Sequence, residues 1–118
     1  MIPIYHITER IQYETTAKSG VYYPANYQSE GFIHCSTRLQ VLDVANRYYA
    51  NASDLVLLEI DPSTLFPNLV YENLEGNEEK FPHVYGKINL EAITRIFSFS
   101  NSSQGGYTFP ENKDILNY

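Results

Sequence analysis

Residues 31–37 of the chain read Gly31-Phe32-Ile33-His34-Cys35-Ser36-Thr37, an apolar run of strand length with a histidine at its centre. Side chains two positions apart on a strand share a face, so His34 and Ser36 are predicted to line one surface and Cys35 the opposite one. Thr37 and Gln40 then have the spacing of a capping box, with Thr37 as the N-cap. The sequence therefore predicts a strand that runs directly into a helix.

The helix after Thr37 has the clearest amphipathic pattern in the chain. Its apolar side chains recur at three- and four-residue steps, the spacing of one buried helix face; they are Val41, Leu42, Ala45, Tyr48 and Tyr49. Helix N-termini attract anions, so we expect a ligand, and a phosphate group in particular, beside His34. Arg47 is the best-placed cation for that phosphate, although an arginine on a helix is most often simply solvated.

The rest of the chain predicts short strands separated by turns. Further strands are predicted at residues 3–8, 55–60, 69–72, 83–86, 94–99 and 107–109, a first helix at 9–18, loops at 20–30 and 100–106, a polar turn at 75–80 and a helical turn at 89–92. The run at 55–60 is almost entirely apolar, which indicates a central strand. Two helices in the N-terminal half and many short strands indicate a single α+β domain over residues 1–118, built on a mostly antiparallel sheet.

The composition is typical of a globular protein, and the net charge limits the kinds of partner that we expect. Hydrophobic residues make up 43% and charged residues 19% of the 118 positions, which suits a folded domain and not a disordered one. The net charge of −6 argues against non-specific nucleic-acid binding, which needs a basic surface, but leaves room for a nucleotide in a pocket. We expect a cytoplasmic protein of bacterial type without membrane association, because the chain shows neither a signal peptide nor an apolar run long enough to cross a bilayer.

Each of the three histidines lies in a predicted strand, and buried strand histidines usually have a hydrogen-bond partner or a function. His6 precedes Thr8 with the same histidine–x–hydroxyl spacing that relates His34 to Ser36, so both pairs could line a cleft. The alternative for His6 is a core histidine bonded to a backbone carbonyl, and for Thr8 and Ser36 the capping of a helix. These alternatives stay open for His6 and Ser36, whereas the position of His34 favours ligand binding.

His83 and Tyr85 form a third candidate pair. Pro82 restricts the residue before it to extended geometry and Gly86 allows close backbone approach, which fits a pocket edge and a sheet-edge turn equally well. Three imidazoles can also bind zinc, but the histidines have no tight ligand spacing, so a metal site is the minor alternative and no metal ligand is assigned. Cys35 is predicted to be a buried, inert thiol, since the adjacent histidine faces away from it.

Several motifs together resemble a known family. They are Tyr5–Thr8, Glu30–Thr37, Gln40–Ala45, Leu55–Asp61 and Phe81–Gly86, and they follow one another along nearly the whole chain. On these motifs the chain is identified as a member of the domain-of-unknown-function family nine-five-two. The fold of that family resembles the ADP-ribosyltransferase superfamily, which includes the RNA 2′-phosphotransferases. The resemblance therefore implies an ADP-ribosyltransferase-like α+β fold.

The same resemblance implies NAD or a related nucleotide as the ligand. It places His6 at the ribose-contacting position, His34 and Ser36 in the second-strand motif, and Arg47 near the helix arginine of the phosphotransferases. Glu72 is the candidate for the acidic position of the superfamily, which makes His34, His6 and Glu72 the candidate catalytic residues. No arginine stands beside His6, where the phosphotransferases have one.

The expected ligand-binding residues are His6, Thr8, His34, Ser36, Arg47, His83 and Tyr85. We expect them to bind NAD or a related nucleotide for ADP-ribosyl or phosphoryl transfer. Glu59 is a second strand carboxylate that either takes part in this chemistry or points outward. The alternatives are a non-catalytic accessory domain that binds a small molecule and, less favoured, a three-histidine metal enzyme.

Overall fold

The structure is a computed structural model that describes residues 1–102 and 105–118. The α-helices in this part of the chain are α1 (Arg10–Ala17), α2 (Tyr27–Glu30) and α3 (Val41–Tyr48). The strands are β1 (Ile4–Glu9), β2 (Val21–Tyr22), β3 (Ile33–His34), β4 (Leu55–Ile60), β5 (Asn68–Glu72), β6 (Phe81–Tyr85), β7 (Ile88–Asn89), β8 (Ile93–Phe99), β9 (Asn101–Ser102) and β10 (Gly106–Tyr107). Short 3₁₀ helices lie at Pro62–Thr64, Leu90–Ala92 and Asn112–Asp114. None of the described helices is long and apolar enough to cross a membrane.

The strands form two three-stranded sheets and two short ribbons. The first sheet has the order β1-β4-β8 and the second the order β3-β6-β5, while β2 pairs with β7 and β9 with β10. Every pairing between described strands is antiparallel. The predicted α+β class and the mostly antiparallel pairing are therefore confirmed, and the short helix α2 adds to the two helices that the sequence predicted.

Strand β4 lies at the centre of the molecule. All six of its residues are buried, which explains why they form an almost unbroken apolar run. Val56 and Leu58 belong to one core cluster, together with Tyr13 of α1, whereas Leu55 and Leu57 belong to a second cluster that includes the buried face of α3. Alternate side chains of β4 thus enter two cores, as the period of two in a strand requires.

Helix α3 begins at Val41, so the prediction of Thr37 as its N-cap is wrong. The backbone N–H groups of Gln40 and Val41 both donate to the Thr37 carbonyl at 3.1 Å, which closes a separate turn before the helix. One half of the predicted capping box is present, since the Thr37 N–H donates to Gln40 Oε1 at 3.0 Å. The amide nitrogen of Gln40 donates to the Lys80 carbonyl at 2.8 Å and so ties this turn to a neighbouring loop.

Thr8 is not a helix cap either, because β1 continues through Glu9 before α1 starts. Thr8 pairs with Val56 and Glu9 with Leu55 across the first sheet, so the backbone at Thr8 stays extended. Helix α1 occupies most of the first predicted helix, and the chain turns after it at Gly20, whose φ of +91° suits glycine.

Three other predicted boundaries change in the structure. The predicted loop at 20–30 contains β2 and α2, and the predicted strand at 31–36 is reduced to β3 followed by an isolated bridge at Ser36. The last predicted strand is observed as β10, which pairs with β9. Residues 103 and 104 of the predicted loop at 100–106 lie outside the described residues.

An isolated bridge between Tyr5 and Ser36 joins the two larger sheets. The Tyr5 N–H donates to the Ser36 carbonyl and the Ser36 N–H to the Tyr5 carbonyl, both at 2.8 Å. Tyr5 lies in β1 and Ser36 follows β3, so the bridge brings the edge of the first sheet against the second. It places His6 beside His34, which is 28 positions further along the chain.

Candidate functional site

A cleft of about 790 Å³ lies where β1, β3 and β6 meet α3 and the loop after β5. His6, His34 and His83 all line it, so the three strand histidines share one cavity. The volume is within the range of small-molecule sites. A second groove, of about 860 Å³, lies between α1, β8 and the C-terminal residues and contains none of the histidines.

Strand register places a glutamate and two histidines in a row along the floor of the cleft. His34 lies directly opposite His83 in the β3–β6 pair, and Glu72 of β5 is opposite Phe81, two residues from His83. Directly opposite and diagonal neighbours of a sheet can touch. Here Glu72 Oε1 lies 3.0 Å from His83 Nδ1, and His83 Nε2 lies 3.3 Å from His34 Nδ1. These three residues are called the Glu–His–His chain below.

Hydrogen-bond chemistry assigns the protons in the Glu–His–His chain. An ionised carboxylate only accepts hydrogen bonds, so His83 Nδ1 carries a hydrogen and donates it to Glu72. With both rings neutral, His83 Nε2 is then an acceptor and His34 Nδ1 the donor. The remaining nitrogen, His34 Nε2, keeps its lone pair, and the residue is exposed at the cleft. This arrangement resembles the orientation of a catalytic histidine by a carboxylate, with a second imidazole between them.

The surroundings set the charge of the Glu–His–His chain at neutral pH. Loss of hydration in the cleft, and secondarily the neighbouring His83, lower the pKa of His34 to about 4, so its ring is neutral. Hydrogen bonds from Tyr85 and then His83 lower the pKa of Glu72, which keeps that carboxyl group ionised. The chain therefore presents a neutral imidazole to the cleft and has a negative charge at its far end.

Two phenylalanines hold the imidazole rings in place. Phe32 stacks on His83, with the ring centroids 4.2 Å apart and an interplanar angle of 21°. Phe81 packs against His34 at a centroid distance of 5.0 Å. Both phenylalanines are half-buried and line the cleft, so part of each ring surface remains open to a ligand. Sequence reasoning did not single them out, although Phe32 has the alternation that places it on the face of His34.

His6 is a buried histidine whose two ring nitrogens both have partners. Nδ1 lies 2.7 Å from the His34 carbonyl, and Nε2 lies 2.7 Å from the Tyr22 hydroxyl. A carbonyl can only accept, so Nδ1 is the protonated nitrogen and Nε2 accepts from Tyr22. Burial is the main cause that lowers the pKa of His6 to about 4. This geometry matches the carbonyl-bonded alternative, and Tyr22, in the segment predicted as a loop, had no recognisable signal in the sequence.

Ser36 and Thr8 also line the cleft and are almost fully buried. The backbone of Ser36 is paired with that of Tyr5, and 2% of the residue is exposed. The surface shared by His34 and Ser36 is therefore confirmed. Cys35 points into the core, and burial raises the pKa of its thiol, as the inert interpretation requires.

Arg47 lines the cleft from helix α3, and its side chain is 65% exposed. It forms an i,i+4 ion pair with Asp43, with Arg47 Nη2 3.4 Å from Asp43 Oδ2. Among the described lining residues, helix α3 contributes nothing before Asp43, which is an acidic residue in its first turn. The helix N-terminus is consequently not the anion-binding position that the sequence predicted, because it starts later and has a carboxylate on the cleft side.

Tyr85 is connected to the cleft by a hydrogen bond to Glu72. It is outside the set of residues that line the cavity, and its hydroxyl group donates to Glu72 Oε1. The backbone approach predicted at Gly86 is confirmed, since a Cβ atom there would lie 2.6 Å from Pro67 Cβ. His83 and Tyr85, which both belong to β6, thus both form hydrogen bonds to the Glu72 carboxylate.

The histidines do not form a metal centre in the part of the chain that is described. Residues 1–102 and 105–118 contain no group of three or more His, Cys, Asp or Glu side chains placed to hold a metal ion. The physical reason is that His6 uses both ring nitrogens inside the protein, while His34 and His83 bond to each other.

The lining of the cleft is strongly acidic. Its carboxylates are Glu9, Glu30, Asp43, Glu72, Glu75 and Glu79, and Arg47 is the arginine among the lining residues. Glu75 and Glu79 belong to the segment that was predicted only as a polar turn at 75–80. That segment forms a wall of the cleft, a role that no local pattern of polar residues can indicate.

Comparison with solved structures finds the same fold in protein CC0527 from Caulobacter crescentus. Its X-ray structure is 26% identical, with a TM-score of 0.79, and the match covers 90% of this chain and 93% of that chain. The solution NMR structure of CC0527 is 27% identical, with a TM-score of 0.77 and 91% of each chain covered. No curated protein matches the chain. The sequence model of the family described as protein of unknown function (DUF952) matches residues 7–96, and the chain therefore belongs to this family.

Proposed function

We propose that the cleft binds NAD or a related nucleotide and that the Glu–His–His chain supplies acid–base catalysis of an ADP-ribosyl or phosphoryl transfer. The observation that carries this proposal is the hydrogen-bonded row from Glu72 through His83 to His34, which ends in an open ring nitrogen at the cleft. The resemblance to the ADP-ribosyltransferase superfamily supports the choice of NAD and of transfer chemistry. A cytoplasmic location, where NAD is available, is part of the proposal.

The Glu–His–His chain suits a reaction in which an acceptor molecule loses a proton as it attacks the ligand. In ADP-ribosyl transfer, the bond from ribose C1′ to nicotinamide breaks and nicotinamide leaves with the electron pair. The acceptor hydroxyl, or water, forms the new bond to C1′, and His34 Nε2 takes its proton. The hydrogen on His34 Nδ1 can then move to His83 Nε2, where the ionised Glu72 stabilises the positive ring.

The other cleft residues have binding or positioning roles in this proposal. The hydroxyl groups of Ser36 and Thr8, which both line the cleft, form hydrogen bonds with ribose. Arg47 contacts a phosphate group by exchanging its exposed pair with Asp43, a small cost because such surface pairs contribute about 0.5 kcal/mol. His6 and Tyr85 position His34 and Glu72.

Calorimetric titration and product analysis test the proposal directly. We expect NAD to bind, and nicotinamide release in the presence of NAD to be detectable by NMR. His34→Gln should lower that rate by about 10²- to 10⁴-fold, the usual contribution of a general base, with an unchanged circular dichroism spectrum. Tyr48→Phe, a conservative change on the exposed rim of the cleft, serves as the control. Absence of heat with NAD, ADP-ribose and a 2′-phosphorylated dinucleotide would refute the proposal.

A binding module without catalysis is the second candidate. Loss of hydration in the cleft lowers the pKa of His34 to about 4, and this favours the second candidate because it makes the ring a weak proton acceptor at neutral pH. This candidate predicts that NAD binds to the wild type and that no nicotinamide is released. Turnover in the NMR assay therefore separates the two candidates.

A further inference from the structure

We propose that Phe32 and Phe81 determine which ligands the cleft accepts, by stacking against a planar aromatic ring of the ligand. Together with His34 and His83 they form a continuous surface of four rings, called the aromatic floor below. The inference deepens the proposed function, because it names the class of ligand. It rests on that function in one respect: if NAD is the ligand, the stacked ring is its adenine or its nicotinamide.

The alternation of side chains along two paired strands creates the aromatic floor. Phe81 and His83 are two positions apart in β6, and Phe32, which directly precedes β3, is two positions from His34, so each pair shares one face. Because His34 lies directly opposite His83, both pairs lie on the same face of the second sheet. That face borders the cavity, and all four residues line it.

The four rings form an unbroken row. Phe32 stacks on His83 with the ring centroids 4.2 Å apart. His83 is followed by His34 at a centroid distance of 5.3 Å, and His34 is followed by Phe81 at 5.0 Å. These distances are typical of aromatic rings in contact. The row is longer than a single ring, so a ligand ring can stack on the phenylalanine at either end while the two histidines lie between them.

The protein holds both phenylalanines in place before a ligand arrives. Phe81 packs against the second core cluster, which includes Leu55 and Leu57. Phe32 contacts the ring of Tyr85 at a centroid distance of 5.6 Å, in addition to its stack on His83. Side chains that are already immobilised lose little conformational freedom on binding, so their contacts contribute more to affinity.

The cavity above the aromatic floor has the dimensions of a small-molecule site. Its volume is about 790 Å³, and Phe32 and Phe81 are only half-buried at its surface. Aromatic surface that is grouped in a concave site is typical of ligand binding. A planar ring covers flat ring surfaces better than a sugar or a phosphate group does, and ring stacking adds to the hydrophobic effect. A ring stacked on Phe81 is also a direct neighbour of His34, the proposed general base.

Titration with three fragments of NAD, followed by NMR of the ligand, tests the inference on the wild type. Adenosine and nicotinamide each contain an aromatic ring, whereas ribose 5-phosphate contains none. We expect adenosine or nicotinamide to bind about tenfold more tightly than ribose 5-phosphate, the usual contribution of one stacked base. The ring protons of the bound fragment should shift upfield, because they lie over the faces of protein rings. The fragment that shows this shift identifies which ring of NAD is stacked.

Substitution of the two phenylalanines separates stacking from general apolar contact. In the double variant Phe32→Leu/Phe81→Leu, which keeps apolar side chains, the affinity for the ring-containing fragment should fall about tenfold. Phe32→Tyr/Phe81→Tyr keeps both rings and should bind that fragment as tightly as the wild type does. Phe66→Leu is the matched control, since Phe66 is 77% exposed and does not line the cleft.

Equal binding of the three fragments by the wild type, or a folded double leucine variant that binds as tightly as the wild type, would overturn the inference. If circular dichroism shows that the leucine variant is unfolded, the upfield shift on the wild type decides, and its absence overturns the inference. If NAD fails to bind, the proposed function fails, whereas a stacked adenosine or nicotinamide still supports the aromatic floor. If NAD binds but neither ring-containing fragment does, the aromatic floor is refuted and the proposed function stands.

Discussion

At the scale of single residues, His6 shows how a buried group can support a site without contacting a ligand. Its ring joins the backbone of His34 to Tyr22 through two bonds of 2.7 Å. Because a carbonyl accepts and does not donate, the ring must be neutral with its hydrogen on Nδ1, or charged at the expense of the bond from Tyr22. Burial makes the charged form costly and lowers the pKa of His6 to about 4.

This shift predicts a loss of stability in mild acid. The folded-state pKa lies below the unfolded value of about 6.5, so the contribution of His6 is complete above that value and decreases as the pH falls towards 4. Between pH 7 and pH 4 we expect the free energy of unfolding to fall by about 3 kcal/mol more in the wild type than in His6→Gln, whose amide can donate and accept a hydrogen bond but does not titrate. Urea unfolding at the two pH values measures the difference. Parallel pH profiles for the two proteins would show that His6 does not titrate on unfolding.

At the scale of elements, Glu59 ties together the three strands of the first sheet. Its carboxylate in β4 accepts two bonds of 2.8 Å from Arg95 in β8 and one of 3.0 Å from the Tyr5 hydroxyl in β1. Glu59 is 4% exposed, so it does not point outward as one of the sequence interpretations held. The guanidinium of Arg95, and to a smaller extent the other donors, lower the pKa of Glu59 against the opposing effect of burial.

Removal of Arg95 should therefore leave a buried carboxylate with too few partners. We expect Arg95→Met to lower the free energy of unfolding by about 2 kcal/mol, less than for a fully buried pair because Arg95 is partly exposed. Since the folded pKa of Glu59 is depressed, this difference should be largest above about pH 4.3 and should shrink as Glu59 is protonated at lower pH. Lys113→Met, which breaks an exposed pair with Glu111, is the control and should change stability little. Equal effects of the two substitutions in urea unfolding would contradict the role given to Glu59.

At the scale of the whole molecule, the cleft exists because two sheets, a helix and a loop meet. The bridge between Tyr5 and Ser36 joins the two sheets. The hydrogen bonds of Gln40 join the turn before α3 to the loop after β5. Strands from both sheets contribute to the lining, so an unfolded chain has no binding site. Under the proposed function, ligand binding is therefore coupled to folding of the entire domain.

This coupling predicts a thermal shift on binding. NAD at 100 times its dissociation constant should stabilise the protein by about 2.7 kcal/mol, which for a domain of this size raises Tm by about 10 °C. Differential scanning calorimetry measures the shift. An unchanged Tm at a concentration that saturates the titration would mean that binding does not depend on the folded cleft.

The sequence by itself determined the α+β class, the central strand at 55–60, the surface shared by His34 and Ser36 and the burial of Cys35, because alternation and helical spacing are local properties. Helix starts were less predictable, since the turn at Thr37 depends on Gln40 bonding to a loop forty residues away. Only the tertiary structure decided that His34 lies opposite His83, that Glu72 is within hydrogen-bond reach of His83, and that the segment at 75–80 forms a wall of the cleft. These relations depend on strand register and on contacts between distant segments, such as the 49 positions that separate His34 from His83, and no local pattern specifies them.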